Sequence, residues 1–184
     1  MINFLTAPLP ESITIGKENY PINTDFRVWI EIQNTLENPD LSNADKIIRF
    51  FSLAFISPVL PASIEEALSA LSEFLSPLPK GEGGSGGKCN TPSFSFIYDG
   101  GLIYAAFLSQ YGIDLSSAQL HWWRFLALFY SLDNCRFTDI VSIRNADLSS
   151  VKDPDYKRFL RKQKRIYRIP TTLPDISSEI SKIF

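Results

Sequence analysis

The sequence predicts a mainly α fold: a single helical domain of about six to seven helices with an N-terminal β-hairpin. Two observations carry this. Apolar residues recur at helical spacing in segment after segment, most segments start at a Ser, Thr or Asp, and several stop at Pro or Gly. Only one short stretch, near the N-terminus, reads instead as paired strands. The block from Tyr98 to Leu132 is the longest and most aromatic apolar stretch and is expected to form the centre of the core.

In chain order, Ser12-Ile13-Thr14-Ile15 and Tyr20-Pro21-Ile22 flank Gly16-Lys17-Glu18-Asn19 and read as the hairpin. Gly16 and Asn19 supply turn chemistry, and Pro21 marks the second strand as an edge. A two-stranded ribbon is marginal in water, so it must lean on the helices or on another copy of the chain. Thr24 is the expected cap of a helix over 25–37, with Phe26, Trp29, Ile30 and Gln33 or Leu36 on its apolar side and Asn38-Pro39 as its stop. Ser42 followed by Asp45 starts a second helix through Ile47, Ile48, Phe51, Leu53 and Phe55. Ser63-Ile64-Glu65-Glu66 has the capping-box form and opens a third, with Ile64, Ala67, Leu68, Leu71 and Leu75 as its apolar face.

Residues 77–93 have the composition of a flexible Gly/Ser-rich linker interrupting a domain that spans 1–170. Asp99 is the expected N-cap of a helix through Leu102, Ile103, Ala106, Phe107 and Gln110, and Gly112 its left-handed C-cap. Ser116 or Ser117 is then expected to cap a buried helix over 118–131, packed antiparallel to the preceding one. On it Leu120, Trp123, Ala127 and Tyr130 form one stripe, and Trp122, Phe125, Leu126 and Phe129 another. Phe137, Ile140, Val141 and Ile143 suggest a short helix capped near Asn134, and Asp153-Pro154 opens a long last helix over 155–168. Residues 171–184 form a polar tail in which Ile176, Ile180 and Ile183 give a weak amphipathic pattern.

Composition excludes several classes. Hydrophobic content of 45% and 13% aromatic residues are far above those of disordered chains. A net charge of -2 gives no global attraction to nucleic acid or to an anionic membrane. Two distant cysteines, Cys89 and Cys135, do not form a disulfide framework. The N-terminus lacks a basic n-region and is broken at Pro8 and Pro10, and no apolar run approaches the ~20 residues needed to span a bilayer. The expected compartment is the cytoplasm.

Four features are candidates for chemistry. Gly87-Lys88 invites a phosphate-loop reading, but position 82 is Glu and position 89 is Cys where that motif needs Gly and a hydroxyl, so a surface linker is favoured. His121, the only histidine, could act as a general base oriented by Asp114. No nucleophile accompanies the pair, and a histidine bonded to a backbone carbonyl or to Asp114 at the core edge is favoured. One His and two scattered Cys are no zinc ligand set, and no catalytic residue, metal or cofactor is assigned. The third feature is the last helix, where Tyr156, Phe159, Leu160, Gln163, Ile166 and Tyr167 take one side. Lys157, Arg158, Arg161, Lys162, Lys164, Arg165 and Arg168 crowd the other. A solvated face and a docking face for an acidic protein are balanced readings, with nucleic acid behind both. The candidate partner-binding set is Lys157, Arg158, Arg161, Lys162, Arg165 and Arg168. The fourth feature, the aromatic excess, is read chiefly as core.

One resemblance adds to this. The runs Ile103-Tyr104-Ala105-Ala106-Phe107, Tyr111-Gly112-Ile113-Asp114-Leu115 and His121-Trp122-Trp123, together with Phe125 and Ala127-Leu128-Phe129, resemble a family of small bacteriophage and prophage proteins. That family belongs to long-tailed phages and is named after a fifteenth gene product. Phe137, Ile140 and Arg144, the late Phe159…Lys164-Arg165-Ile166-Tyr167 run, and the opening Ile15-Gly16…Tyr20-Pro21-Ile22…Thr24-Asp25-Phe26-Arg27 continue the likeness over roughly residues 10–170. The resemblance implies a non-enzymatic tail-morphogenesis protein, because such genes sit beside that of the tape-measure protein, where tail-assembly chaperones are encoded in related phages. The implied partners are the tape-measure protein and the tail tube protein, with self-association as a further expectation and no membrane. A structural component retained in the virion is the alternative, and a small enzyme using His121 and Asp114 ranks third.

Overall fold

The computed structural model describes residues 4–57, 63–77 and 93–170. The linker centred on Gly87-Lys88, Cys89 and the tail 171–184 lie outside the described residues. The element order is β1(Ser12–Ile15), β2(Glu18–Pro21), α1(Phe26–Glu37), α2(Asn43–Ala54), α3(Ile64–Leu75), α4(Gly100–Tyr111), α5(Trp122–Tyr130), α6(Arg136–Asn145) and α7(Pro154–Ile166). This is the mainly helical fold with an N-terminal hairpin that the sequence predicts. It is organised as two compact units. One takes the described residues up to 77 together with 103–133, the other residues 93–102 and 134–170.

In the first unit β1 and β2 pair antiparallel, with Ile15 opposite Glu18. The connection is therefore the two residues Gly16-Lys17, and Gly16 has a φ of 62°, as the first position of a tight hairpin turn requires. Asn19, expected in the turn, lies in β2 and accepts from the Thr14 hydroxyl at 2.7 Å. The Pro21 edge is partly closed: Ile22 bridges Phe55, and the Pro21 carbonyl accepts from the Ile56 amide. Ile13 and Ile15 face inward, and β1 packs on α3.

The N-terminus of α1 is capped by Asp25 rather than Thr24. The Asp25 carboxylate accepts from the Arg27 amide at 2.8 Å. Thr24 has another use, because its carbonyl accepts from the Trp122 amide while the Phe26 amide reaches the Leu120 carbonyl. The first turns of α1 and α5 are thus stitched by one short antiparallel bridge between Asp25 and His121. The α1 residues that go inward are Phe26, Trp29, Ile32 and Thr35, one register away from the expected Ile30, Gln33 and Leu36. In α2 the buried residues are Phe50 and Ala54, and Ile48 is exposed. In α3 they are Ala67, Leu71 and Phe74, while Ile64 is exposed. The Ser42 and Ser63 caps form as the sequence predicts.

From Ile103 onward α4 belongs to the first unit. It ends at Gly112, φ 64°, whose amide bonds the Leu108 carbonyl. This left-handed position suits glycine because it has no Cβ to clash. The next helix begins four residues later than expected. Residues 115–117 form a turn held by Asp114, and the N-cap of α5 is His121.

The second unit contains α6 and α7, packed against each other, and the segment from Ser93. Asn134 adopts φ 46°, so the cap passes to Cys135, whose amide donates to the Thr138 hydroxyl at 3.1 Å. Asp153 caps α7 through the amides of Asp155 and Tyr156.

Candidate functional site

The His121-Trp122-Trp123 triplet, the most distinctive sequence feature, has a structural explanation. Nδ1 of His121 accepts from the Trp123 amide at 3.1 Å. That contact makes Nε2 the protonated nitrogen, and it donates to the Pro10 carbonyl at 2.9 Å. Half-burial pushes the imidazole pKa below its ordinary value, with the nearby Arg124 adding to the effect and the Pro10 carbonyl opposing it. The two indoles complete another helix. The last carbonyls of a helix have no partner within it, and α3 ends without a glycine or a basic residue. The Trp123 indole N–H donates to the Phe74 carbonyl at 2.8 Å, and that of Trp122 to the Leu75 carbonyl at 3.0 Å.

Asp114 does not orient His121. Its carboxylate accepts from the Ser116 hydroxyl at 2.6 Å and amide at 2.9 Å and from the Tyr104 hydroxyl at 3.1 Å. These bonds, the Ser116 hydroxyl foremost, hold its carboxyl below the usual carboxylate range. The dyad suggested by the sequence is therefore not assembled. Among the described residues no group of three or more His, Cys, Asp or Glu could hold a metal ion, and no helix is long and apolar enough to cross a membrane.

The cationic helix does present a surface. Asp153 starts α7 and Pro154 takes its first position, where a missing N–H costs nothing. Leu160 is its only buried residue. The side expected to be apolar packs only in part, through Leu160, Gln163 and Tyr167. Tyr156, Phe159 and Ile166 are exposed, and the helix lies on Leu160 with half-buried Lys157, Gln163 and Lys164 beside it. The reason is that long cationic side chains can lay their methylenes on a surface and keep the head hydrated or bonded. Lys164 does this, donating to the Ala146 carbonyl at the end of α6 at 2.6 Å. Of the candidate set, Arg158, Arg161, Lys162, Arg165 and Arg168 are exposed and Lys157 is half-buried. Asp155 lies 3.3 Å from Arg158, both side chains being mostly in solvent; such exposed pairs neutralise little.

Two arginines that sequence reasoning did not single out as site residues hold the base of this surface. Arg144 of α6 is a half-buried hub: it pairs with both oxygens of Asp99 at 2.6 and 2.8 Å and donates to the carbonyls of Tyr167 and Ser93. Asp99, expected as the cap of α4, is 2% exposed and also accepts from the Ser95 amide. The Arg136 guanidinium lies 5.2 Å over the Tyr167 ring and bonds its hydroxyl. The end of α7 is thereby tied to α6 by two cations while its outward cations stay in solvent.

The profile of the bacteriophage Gp15 protein family matches residues 5–169. The chain belongs to that family. The match spans the His-Trp-Trp block, the Asp99–Arg144 pair and the whole of α7, and so residues of both units. No curated protein and no solved structure matches the chain.

Proposed function

We propose that this Gp15-family protein is a non-enzymatic factor in phage tail morphogenesis, a chaperone that binds an acidic stretch of the tape-measure or tail tube protein. The observation that carries the reading is the outward face of α7, where Arg158, Arg161, Lys162 and Arg165 are exposed on a rigid, capped helix in a chain of net charge -2. A single-sign patch of this kind steers an oppositely charged partner and sets its register, while the cations contribute little to the fold. His121, the histidine that the sequence offered as a general base, is committed to capping, which supports a binding role over turnover.

The test is co-expression with the tape-measure protein, followed by affinity purification. The expected outcome is a soluble complex whose formation weakens as salt is raised. Reversing Arg158, Arg161 and Arg165 to Glu should abolish co-purification and leave the melting temperature unchanged. Full retention of the client by that variant rules the reading out. Recovery of the protein from assembled tails at fixed stoichiometry, without a soluble complex, moves the answer to a structural component.

A further inference from the structure

Beside its cations α7 carries an apolar stripe that the second unit leaves in solvent. Tyr156, Phe159 and Ile166 are 53%, 52% and 57% exposed, and the Tyr156 and Phe159 rings stack at 6.2 Å. Spacings of three and seven residues put them on one side of the helix, where Lys162 is their neighbour and Arg158 and Arg165 lie next beyond. An apolar stripe bordered by cations fits an amphipathic segment whose own apolar stripe is bordered by acids.

The chain contains such a segment. After Pro170 it reads TTLPDISSEISKIF. At helical spacing Ile176, Ile180 and Ile183 share a stripe, and Asp175 and Glu179 lie beside it, with a single cation, Lys182, on the same flank. The family match ends at residue 169, so this segment lies outside it. Its length suffices: residues 171–174 can extend over roughly 13 Å to reverse the chain, and ten helical residues over 175–184 span about 15 Å, the rise from Tyr156 to Ile166.

We propose that residues 171–184 dock on the Tyr156–Phe159–Ile166 stripe, with Asp175 and Glu179 meeting the cations beside it, and so compete with the client for α7. The competition rests on the function proposed above; the docking does not. Tethering holds the segment at an effective concentration of about millimolar, so even a weak contact is well populated, and a client must displace it.

The experiment compares the full chain with one ending at Pro170 by amide NMR, and titrates the shortened chain with a synthetic peptide of residues 171–184. The α7 amides are expected to differ between the two chains, and added peptide should return them toward their full-chain positions. Phe159→Ser in the shortened chain, or a peptide with Asp175 and Glu179 changed to Lys, should weaken the titration at least tenfold. Identical α7 signals in the two chains overturn the docking. The tape-measure protein, used as client, should be captured several-fold better by the shortened chain. Docking without that gain overturns the competition, whereas client loss on reversal of the three arginines depends on neither result.

Discussion

In the first unit the largest side chains carry the core and spend their few polar atoms on backbone ends. Trp29, Trp122, Phe107 and Phe125 are fully buried. Phe125 stacks with Phe26 at 4.8 Å and with Phe107 at 5.1 Å, and Trp29 meets Phe74 at 4.6 Å. Each of the three indole N–H groups finds a carbonyl. In the second unit the apolar core is small, chiefly Phe137, Ile140, Leu160 and Ile169. Its central contact is the Asp99–Arg144 pair, whose side chains are only 3% and 11% exposed. One unit is held by apolar area with polar caps, the other by a desolvated charge pair fixing a thin core. Area tolerates small repacking. A buried pair does not tolerate the loss of one member, because the survivor is left charged and unsolvated.

The sharpest break of this contrast is Trp122→Ala. It removes a fully buried ring and leaves the Leu75 carbonyl without its donor, and should cost about 3–5 kcal/mol in denaturant unfolding of the first unit. A loss under about 1 kcal/mol would mean that the ring is not central to the core. Arg144→Met comes next: stranding Asp99 should cost about 3 kcal/mol, read as faster amide exchange in α6 and α7. Adding Asp99→Leu to it should recover most of the loss, and no recovery would show that the carbonyl contacts of Arg144 outweigh the pair. Gly112→Ala is smaller, about 1–2 kcal/mol, because alanine must adopt the left-handed conformation there; an unchanged midpoint would remove strain from the account of this helix end. The smallest effect is pH-dependent. The folded-state pKa of His121 is lowered, so the unfolded chain takes up the proton first. The stabilisation from the neutral, capping imidazole is complete above about pH 6.5 and is lost as pH falls below that value. His121→Asn keeps a good N-cap without titration and should flatten the dependence of the melting temperature between about pH 5 and 7. Equal slopes in both proteins would assign the dependence to other groups.

Helix positions were legible in the sequence because caps and stops are local. Ser42 three residues before Asp45, Ser63 before Glu66, Asp153-Pro154 and Gly112 each mark an end within one turn of chain. Which stripe of a helix turns inward was less legible, since periodicity yields stripes and packing chooses among them. On α1 the choice moved to Ile32 and Thr35, and on α7 it left Phe159 outside and took the stems of Lys157 and Lys164. Least legible were the long-range polar contacts. Asp99 and Arg144 are 45 residues apart, and Arg27 reaches the carbonyls of Leu115, Ser116 and Ala118 some 90 residues away. No local signal names such partners. The cationic set on α7 was legible as composition, and the structure adds which members face solvent.

The indole bonds to the end of α3 also give the molecule a built-in optical partition. All three tryptophans, Trp29, Trp122 and Trp123, belong to the first unit, and each is buried with its N–H engaged. Their emission should therefore be blue-shifted in the native protein and should move red only when the first unit opens. The second unit absorbs in the near ultraviolet through tyrosine and phenylalanine alone, so its loosening would pass unseen by red-edge-excited fluorescence while still changing the far-ultraviolet dichroism. Disagreement between those two signals during unfolding reads out, without any label, whether the two units come apart in one step or in two.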